Sequence, residues 1–239
     1  MHPYLANHPV IQEILGLIAD IERKVQELQD SINRMLDAVP TYLDWIFGRV
    51  RDGWNELLGH LEEFWAWIDR TVAQTGDYSA LSQSADQWNL QVGEPVMAQS
   101  REVHAAELLV DDIWTGVAAE AYKQKVPQQQ NTLQDIRNEY TTAIASALVT
   151  VKGGIALFWI GIGAALAALL GGIVGAIASA GTVFGLPAAP FIAGAAVLVA
   201  IAAISGGVWK LESDCSTANT QLTTAQSAGL QRWPTLAHG

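Results

Sequence analysis

The stretch between Lys152 and Lys210 carries no charged residue, and this gap constrains the fold more than any other feature of the chain. Residues 153–209 are almost entirely Ala, Gly, Ile, Leu and Val, whereas all 13 basic and 24 acidic residues lie outside them. One membrane-spanning helix needs about 20 apolar residues, so this stretch is long enough for two. A break containing Gly and Pro, at about residues 180–190, divides it. The sequence therefore predicts a hydrophobic helical hairpin that could cross a bilayer twice.

Small residues recur at intervals of four in the first helix of this predicted hairpin, and further small residues follow in the second. Such rows allow close helix–helix contact in lipid. We therefore expect the two helices to pack on each other through small side chains. The predicted packing residues are Ala164, Ala168, Gly171, Gly172, Gly175 and Ala176.

Aromatic and lysine side chains flank the open end of the hairpin. Both residue types are favoured where hydrocarbon meets headgroups. The far loop has no charge, so its passage across a bilayer carries no ionic penalty. The sequence predicts that both polar parts of the chain stay on one side of the membrane. The predicted membrane-interface residues are Lys152, Phe158, Trp159, Trp209 and Lys210.

Three interpretations of the hairpin stay open at this stage. It inserts into a membrane, it is masked in one form of the protein and exposed in another, or it is a permanently buried core. The span length favours the first. Amphipathic helices elsewhere in the chain, each with one apolar stripe, could cover the hairpin in the second.

Two heptad patterns occupy the N-terminal region, over residues 10–39 and 41–73. Apolar residues at alternating steps of four and three are typical of a coiled-coil seam. Pro40 ends the first helix because proline cannot continue the hydrogen-bond ladder, and we expect an antiparallel pair that turns there. The seam residues are Ile14, Ile18, Ile21, Val25, Leu28, Ile32, Phe47, Trp54, Leu61 and Phe64.

Two further amphipathic helices are predicted over residues 79–112 and 117–150. Gly93 and Pro95 should kink the first, and Pro127 the second. No run alternates with the period of two that indicates a strand. The predicted fold class is all-α: a long antiparallel helical bundle or coiled coil, a second helical hairpin, and the two-helix hydrophobic hairpin of transmembrane type.

The residues that join those two helices are Trp114-Thr115-Gly116, followed by Ala118, Ala119 and Tyr122. Glycine suits a tight helix–helix turn, tryptophan fills the groove between two helices, and alanines let the helices approach. With Gln129 or Gln130, Leu133 and Ile136 on the second helix, residues 85–140 resemble the WXG superfamily, the helical-hairpin proteins of type VII (ESX-type) secretion. The turn residues implied by this resemblance are Trp114, Gly116, Ala118, Ala119 and Tyr122.

The chain departs from the family pattern in its export signal. Family substrates carry Tyr-x-x-x-Asp/Glu, but Val126 stands four residues after Tyr122, and Ile144 four after Tyr140. A signal encoded by this chain itself is therefore not predicted, and a partner would supply it. The larger secretion-associated members do combine a WXG-type region with hydrophobic segments. The resemblance implies a protein that binds helical partners.

Chemistry-bearing patterns are missing from the sequence. The net charge of −11 argues against nucleic-acid binding. Cys215 is the single cysteine, and His60 with Glu63 is interpreted as a solvated surface pair. There is no phosphate-binding loop and no nucleophile elbow. We expect no enzymatic activity, no catalytic residues, no cofactor, no metal and no small-molecule substrate.

The predicted regions are a coiled-coil pair (1–76), a WXG-like hairpin (77–152) with its turn at 114–116, the hydrophobic hairpin (153–209) and a polar tail (210–239). The predicted function is a non-enzymatic, type VII secretion-associated protein that binds helical partners, or itself as a homo-oligomer, and inserts into or docks on membrane lipid. The alternatives are an α-helical pore-forming toxin, whose layout is similar, and a membrane-resident scaffold. The N-terminus lacks a cleavable-signal pattern, so we expect membrane association, or type VII export followed by insertion.

Overall fold

The computed structural model describes residues 9–40, 43–74, 78–103 and 113–227. These ranges contain helices and turns but no β-strand. The predicted all-α fold class is confirmed.

Seven α-helices and two short π-helical segments make up the described chain. In order they are α1 (Pro9–Asp37), α2 (Trp45–Gln74), α3 (Tyr78–Gln87), a first π-helical segment (Trp88–Gly93), α4 (Glu94–Glu102), α5 (Val117–Asp135), a second π-helical segment (Ile136–Thr141), α6 (Thr142–Ala180) and α7 (Ala189–Ser227).

Contacts divide the chain into two compact units that do not follow chain order. Unit 1 combines Met1–Asp77 with Ile155–Leu211, and unit 2 combines Tyr78–Gly154 with Glu212–Gly239. The coiled-coil pair thus shares a unit with the hydrophobic hairpin. The WXG-like region shares the other unit with the C-terminal segment.

Helix α1 of unit 1 is amphipathic along the predicted heptad. Ile14, Ile21, Leu28 and Ile32 are buried, and the alternate seam residues Ile18 and Val25 are half-buried. The last turns of α1 and the first turns of α2 line one groove of about 360 Å³. Because only residues 38–44 separate the two helices, this shared groove is the arrangement of an antiparallel pair.

The buried side of α2 differs from the predicted seam at two positions. Leu61 and Phe64 are buried as expected, but Phe47 is exposed and Trp54 is half-buried, and both line the groove with α1. The positions beside them take the buried side instead. Among the side chains of α2 up to Thr71, the buried apolar ones are Ile46, Val50, Leu57, Leu61, Phe64 and Ile68.

Helices α6 and α7 are longer than predicted. The polar helix expected to end at Thr150 continues without interruption into the first apolar helix, and α7 continues past Lys210 to Ser227. Extending an existing helix fixes one residue for each new hydrogen bond, whereas starting a helix is costly. The Gly153-Gly154 pair is therefore not enough to end α6. Residues 228–239 of the predicted tail lie outside the described ranges.

In unit 2, α4 and α5 form an antiparallel pair. Ser100 Oγ donates to the Gln130 carbonyl at 3.4 Å, and a Cβ placed at Gly93 would lie 2.8 Å from Arg137 Cδ. A π-helical segment ends at Gly93, two residues before Pro95, in the place where Gly93 and Pro95 predict a kink. Helix α5 continues through Pro127. Residues 104–112 of the predicted third helix are outside the described chain.

Candidate membrane-interaction site

Helices α6 and α7 pack against each other as an antiparallel pair in unit 1. A Cβ placed at Gly172 would overlap with the Cβ of Ala196, so only glycine permits this approach. Nearer the open end, a Cβ at Gly207 would lie 3.6 Å from Phe158 Cδ2. The predicted hairpin geometry is present, with small residues at its closest point.

The six predicted packing residues are divided between two faces of α6. Gly172 is half-buried against α7 and Ala176 is fully buried, whereas Ala164, Ala168, Gly171 and Gly175 are exposed. Successive residues of an α-helix are about 100° apart, so a row with a step of four drifts by about 40° at each step. The row therefore begins on the outer side near Ala164 and reaches the contact only at Gly172.

The predicted interface residues also occupy different environments. Phe158 and Trp159 are buried, with ring centroids 5.7 Å apart, and therefore do not lie on the surface where a membrane interface would contact them. In a helix that is apolar all round, the sequence gives no sign of which face is covered. Trp209 is 70% exposed and Lys210 is exposed. Lys152 Nζ donates to Ser82 Oγ at 3.1 Å within unit 2.

Helix α2 lies along the start of α7. A Cβ at Gly53 would lie 2.9 Å from Phe191 Cε2 and 3.1 Å from Pro190 Cβ, and one at Gly194 would lie 3.7 Å from His60 Cδ2. The two helices therefore run in the same direction. Arg49 Cζ lies 6.0 Å from the centre of the Phe191 ring, at the distance of a cation–π contact. The first turns of α7, at the loop end of the apolar hairpin, are thus covered by a helix from the charged pair α1–α2.

The other side of the hairpin is exposed and uncharged; we call it the outer face. In the most apolar 18-residue stretch of each of the two long helices, only 33% and 28% of residues are buried. Both helices are long and apolar enough to cross a membrane, and most of these residues are not enclosed, unlike those of a soluble core. The large side chains of the outer face are Leu157, Ile160, Val174, Ile192 and Val199.

The Trp-Thr-Gly turn of unit 2 has its own geometry. Gly116 has φ +108° and ψ −178° at the start of α5, a conformation that is essentially restricted to glycine. The ring of Trp114 lies 5.6 Å from that of Tyr122 but is 44% exposed. Ala119 is buried, whereas Ala118 is exposed.

The sequence interpretation missed Gly53 and Phe191. Trp54 was assigned to the seam because it is large and apolar, yet its neighbour Gly53 is the residue that lies against α7. Glycine inside a helix is unfavourable by about 1 kcal/mol relative to alanine, which draws attention to such positions. However, α2 also contains Gly48 and Gly59, where nothing lies within 4 Å of an added Cβ, so the sequence alone does not single out Gly53.

Nothing in the described residues groups three or more His, Cys, Asp or Glu side chains around a possible metal position. His60, assigned to a pair with Glu63, has its Nε2 3.7 Å from Glu56 Oε1 instead. Cys215 is exposed. In comparisons with known proteins, no family model, curated protein or solved structure matches this chain.

Proposed function

We propose that this is a non-enzymatic protein that inserts into a membrane through the α6–α7 hairpin. The observation that carries the proposal is the outer face, which is exposed and has no charge. From Leu157 to Val174 on α6 it extends over about 26 Å at 1.5 Å per residue, close to the ~30 Å thickness of a hydrocarbon core. Water is a poor solvent for such a surface, and lipid is a good one.

Insertion requires the hairpin to separate from its cover. Helix α2 has eight charged residues distributed from Arg49 to Arg70, and it lies beside α7. A charge at the centre of a bilayer is unfavourable by about 2.5–3.5 kcal/mol on insertion scales. Helices α1 and α2 therefore stay at the aqueous side when α6 and α7 enter lipid. In this proposal, the arrangement in which α2 lies beside α7 is the form that precedes insertion.

Vesicle flotation tests insertion directly. The unaltered protein should float with phosphatidylcholine vesicles and resist extraction at alkaline pH. Val174→Asp places a carboxylate on the outer face, within the stretch that would contact hydrocarbon, and should reduce the inserted fraction several-fold. Leu222→Asp, a similar change at an exposed position of α7 in unit 2, should insert normally. If Val174→Asp inserts as well as the unaltered protein, the proposal is wrong.

We further propose that the protein acts in type VII secretion, as the WXG resemblance implies. The glycine-restricted conformation of Gly116, the Trp114–Tyr122 contact and the antiparallel α4–α5 pair support this. In an actinobacterial host, delivery to membrane or medium should require the type VII ATPase. Gly116→Leu should reduce delivery, whereas Gly153→Leu, at an exposed glycine with open space around it, should not. Delivery that is independent of the ATPase would contradict this assignment.

A pore-forming toxin is the second candidate, favoured by the arrangement of an apolar hairpin against charged helices. Entrapped dye separates the two candidates in the same vesicle experiment. A pore-former releases dye, whereas a membrane-docked secretion component does not. The outer face offers no charged side chain to line a channel, so we expect insertion without release.

A further inference from the structure

The loop between α6 and α7 is closed by its own hydrogen bonds. The backbone N–H groups of Gly181, Thr182, Leu186, Ala188 and Ala189 donate to carbonyls of the loop or of the last turns of α6, over 2.8–3.2 Å. Backbone groups that are already hydrogen-bonded within the protein do not have to be left without a partner in hydrocarbon, and most N–H groups of this loop are bonded in this way.

Three side-chain bonds hold the same loop in shape. Ser179 Oγ donates to the Gly185 carbonyl at 3.1 Å, Thr182 Oγ1 donates to the Ser179 carbonyl at 3.2 Å, and the Gly185 N–H donates to Thr182 Oγ1 at 3.0 Å. A Cβ at Gly185 would overlap with the Ser179 carbonyl oxygen, so the turn depends on glycine there. The loop is therefore compact and internally hydrogen-bonded between the two helices.

Phe184 stands at the apex of this loop and is 93% exposed. Leu186, two residues later, is fully buried and anchors the loop on the helices. An aromatic ring held in water by a fixed loop gains more from transfer to an apolar phase than any other side chain of the loop. Ile192, in the first turn of α7 after the loop, is also exposed, and the loop has no charge.

We propose that Phe184 and its loop form the leading end of the hairpin, which contacts the lipid bilayer first and enters it before the rest of α6 and α7. This proposal rests on the proposed insertion, and it adds where on the hairpin insertion begins and in which direction it proceeds. The partner is the apolar interior of the bilayer rather than an anionic headgroup, since the loop has no basic residue and the chain has a net charge of −11. Insertion should therefore need no anionic lipid and should not weaken in salt.

The order of arrival in the membrane tests the direction. In a Cys215→Ser background, an environment-sensitive dye is attached to Phe184→Cys, Val174→Cys or Leu157→Cys. After mixing with phosphatidylcholine vesicles, the dye at position 184 should respond first and the dye at position 157, near the open end, last. A response at position 157 that precedes or coincides with that at position 184 would overturn the proposal.

Rate measurements on substitutions separate this proposal from the insertion itself. Phe184→Asp should slow insertion by roughly tenfold or more, whereas Phe184→Leu should insert within about twofold of the unaltered rate because leucine keeps most of the apolar area. Thermal unfolding should be unchanged in both, because the side chain is exposed. If Phe184→Asp inserts at the normal rate while Val174→Asp fails to insert, the hairpin inserts but the loop around Phe184 is not its leading end. If both insert normally, the proposed function itself is wrong.

Discussion

The two helical hairpins of unit 1 have the same antiparallel form and opposite chemistry. Helices α1 and α2 carry nine and eight charged residues respectively, whereas the α6–α7 hairpin has none over residues 153–209. Each α1–α2 helix has one apolar stripe, which is buried. Over residues 153–209 the α6–α7 hairpin is apolar all round, so burying one side leaves the outer face exposed.

This difference indicates where each hairpin is stable. The charged pair has a surface for water and a stripe for packing, and a covered arrangement satisfies both. The apolar pair has no surface suited to water. The contact between the hairpins therefore decides whether α6 and α7 stay covered, and Gly53 against Phe191 and Pro190 is where the structure shows that contact most closely.

A disulfide across this contact should give the largest effect. A Cβ at Gly53 lies 3.1 Å from Pro190 Cβ, within a few tenths of an ångström of the roughly 3.5–4.5 Å found in disulfides. In a Cys215→Ser background, oxidised Gly53→Cys/Pro190→Cys should not insert into vesicles, because α2 cannot leave α7. Reduction should restore insertion. Equal flotation of the oxidised and reduced forms would show that release of α2 is not required.

Truncation of the cover should have the next largest effect. Leu57 is fully buried on α2, and Leu57→Ala should lower the free energy of unfolding by about 2–5 kcal/mol. Its neighbour Leu58 is exposed, and Leu58→Ala should change the free energy of unfolding by less than about 0.5 kcal/mol. Urea unfolding gives both values. Vesicle binding should increase for Leu57→Ala alone, and equal binding by the two variants would contradict the role of α2 as a cover.

The features that the sequence predicted well depend on local pattern. The heptad of α1 indicates its buried side because polar residues separate the apolar ones at Ile14, Ile21 and Leu28. The uncharged stretch indicates the length of the hairpin, and its Gly- and Pro-bearing break indicates the loop. These signals need no knowledge of the neighbouring helices.

The features that it predicted poorly depend on which neighbour covers which face. Phe158 and Trp159 resemble interface residues in composition, yet they are buried. In the uncharged part of α6, residues 153–180, every face is apolar, so periodicity cannot distinguish the covered side from the outer one. In α2, Gly53 has no hydrophobic side chain. A heptad pattern based on large apolar residues therefore assigns the buried position to Trp54, although Gly53 is the residue that contacts α7.

The packing within the apolar hairpin can be tested by two adjacent glycines. Gly172→Leu forces a side chain into Ala196 of α7 and should destabilise the covered form by about 1–3 kcal/mol. Gly171→Leu enters open space and should have little effect on the covered form. Urea unfolding distinguishes them. If Gly172→Leu and Gly171→Leu lower the free energy of unfolding by the same amount, α6 and α7 do not meet at Gly172.

The smallest effect should come from alanine at two glycines of α2. At Gly59 no atom lies within 4 Å of an added Cβ, so Gly59→Ala should stabilise the protein by about 0.5–1 kcal/mol through helix propensity. At Gly53 the same gain is offset by contact with Phe191 at 2.9 Å and Pro190 at 3.1 Å. Gly53→Ala should therefore be neutral or destabilising, and a difference near 1 kcal/mol between the two variants in urea unfolding would measure how tightly the charged hairpin holds the apolar one. If both variants are stabilised equally, α2 does not pack closely on α7 in solution, and the hairpin is exposed on both faces before it meets a membrane.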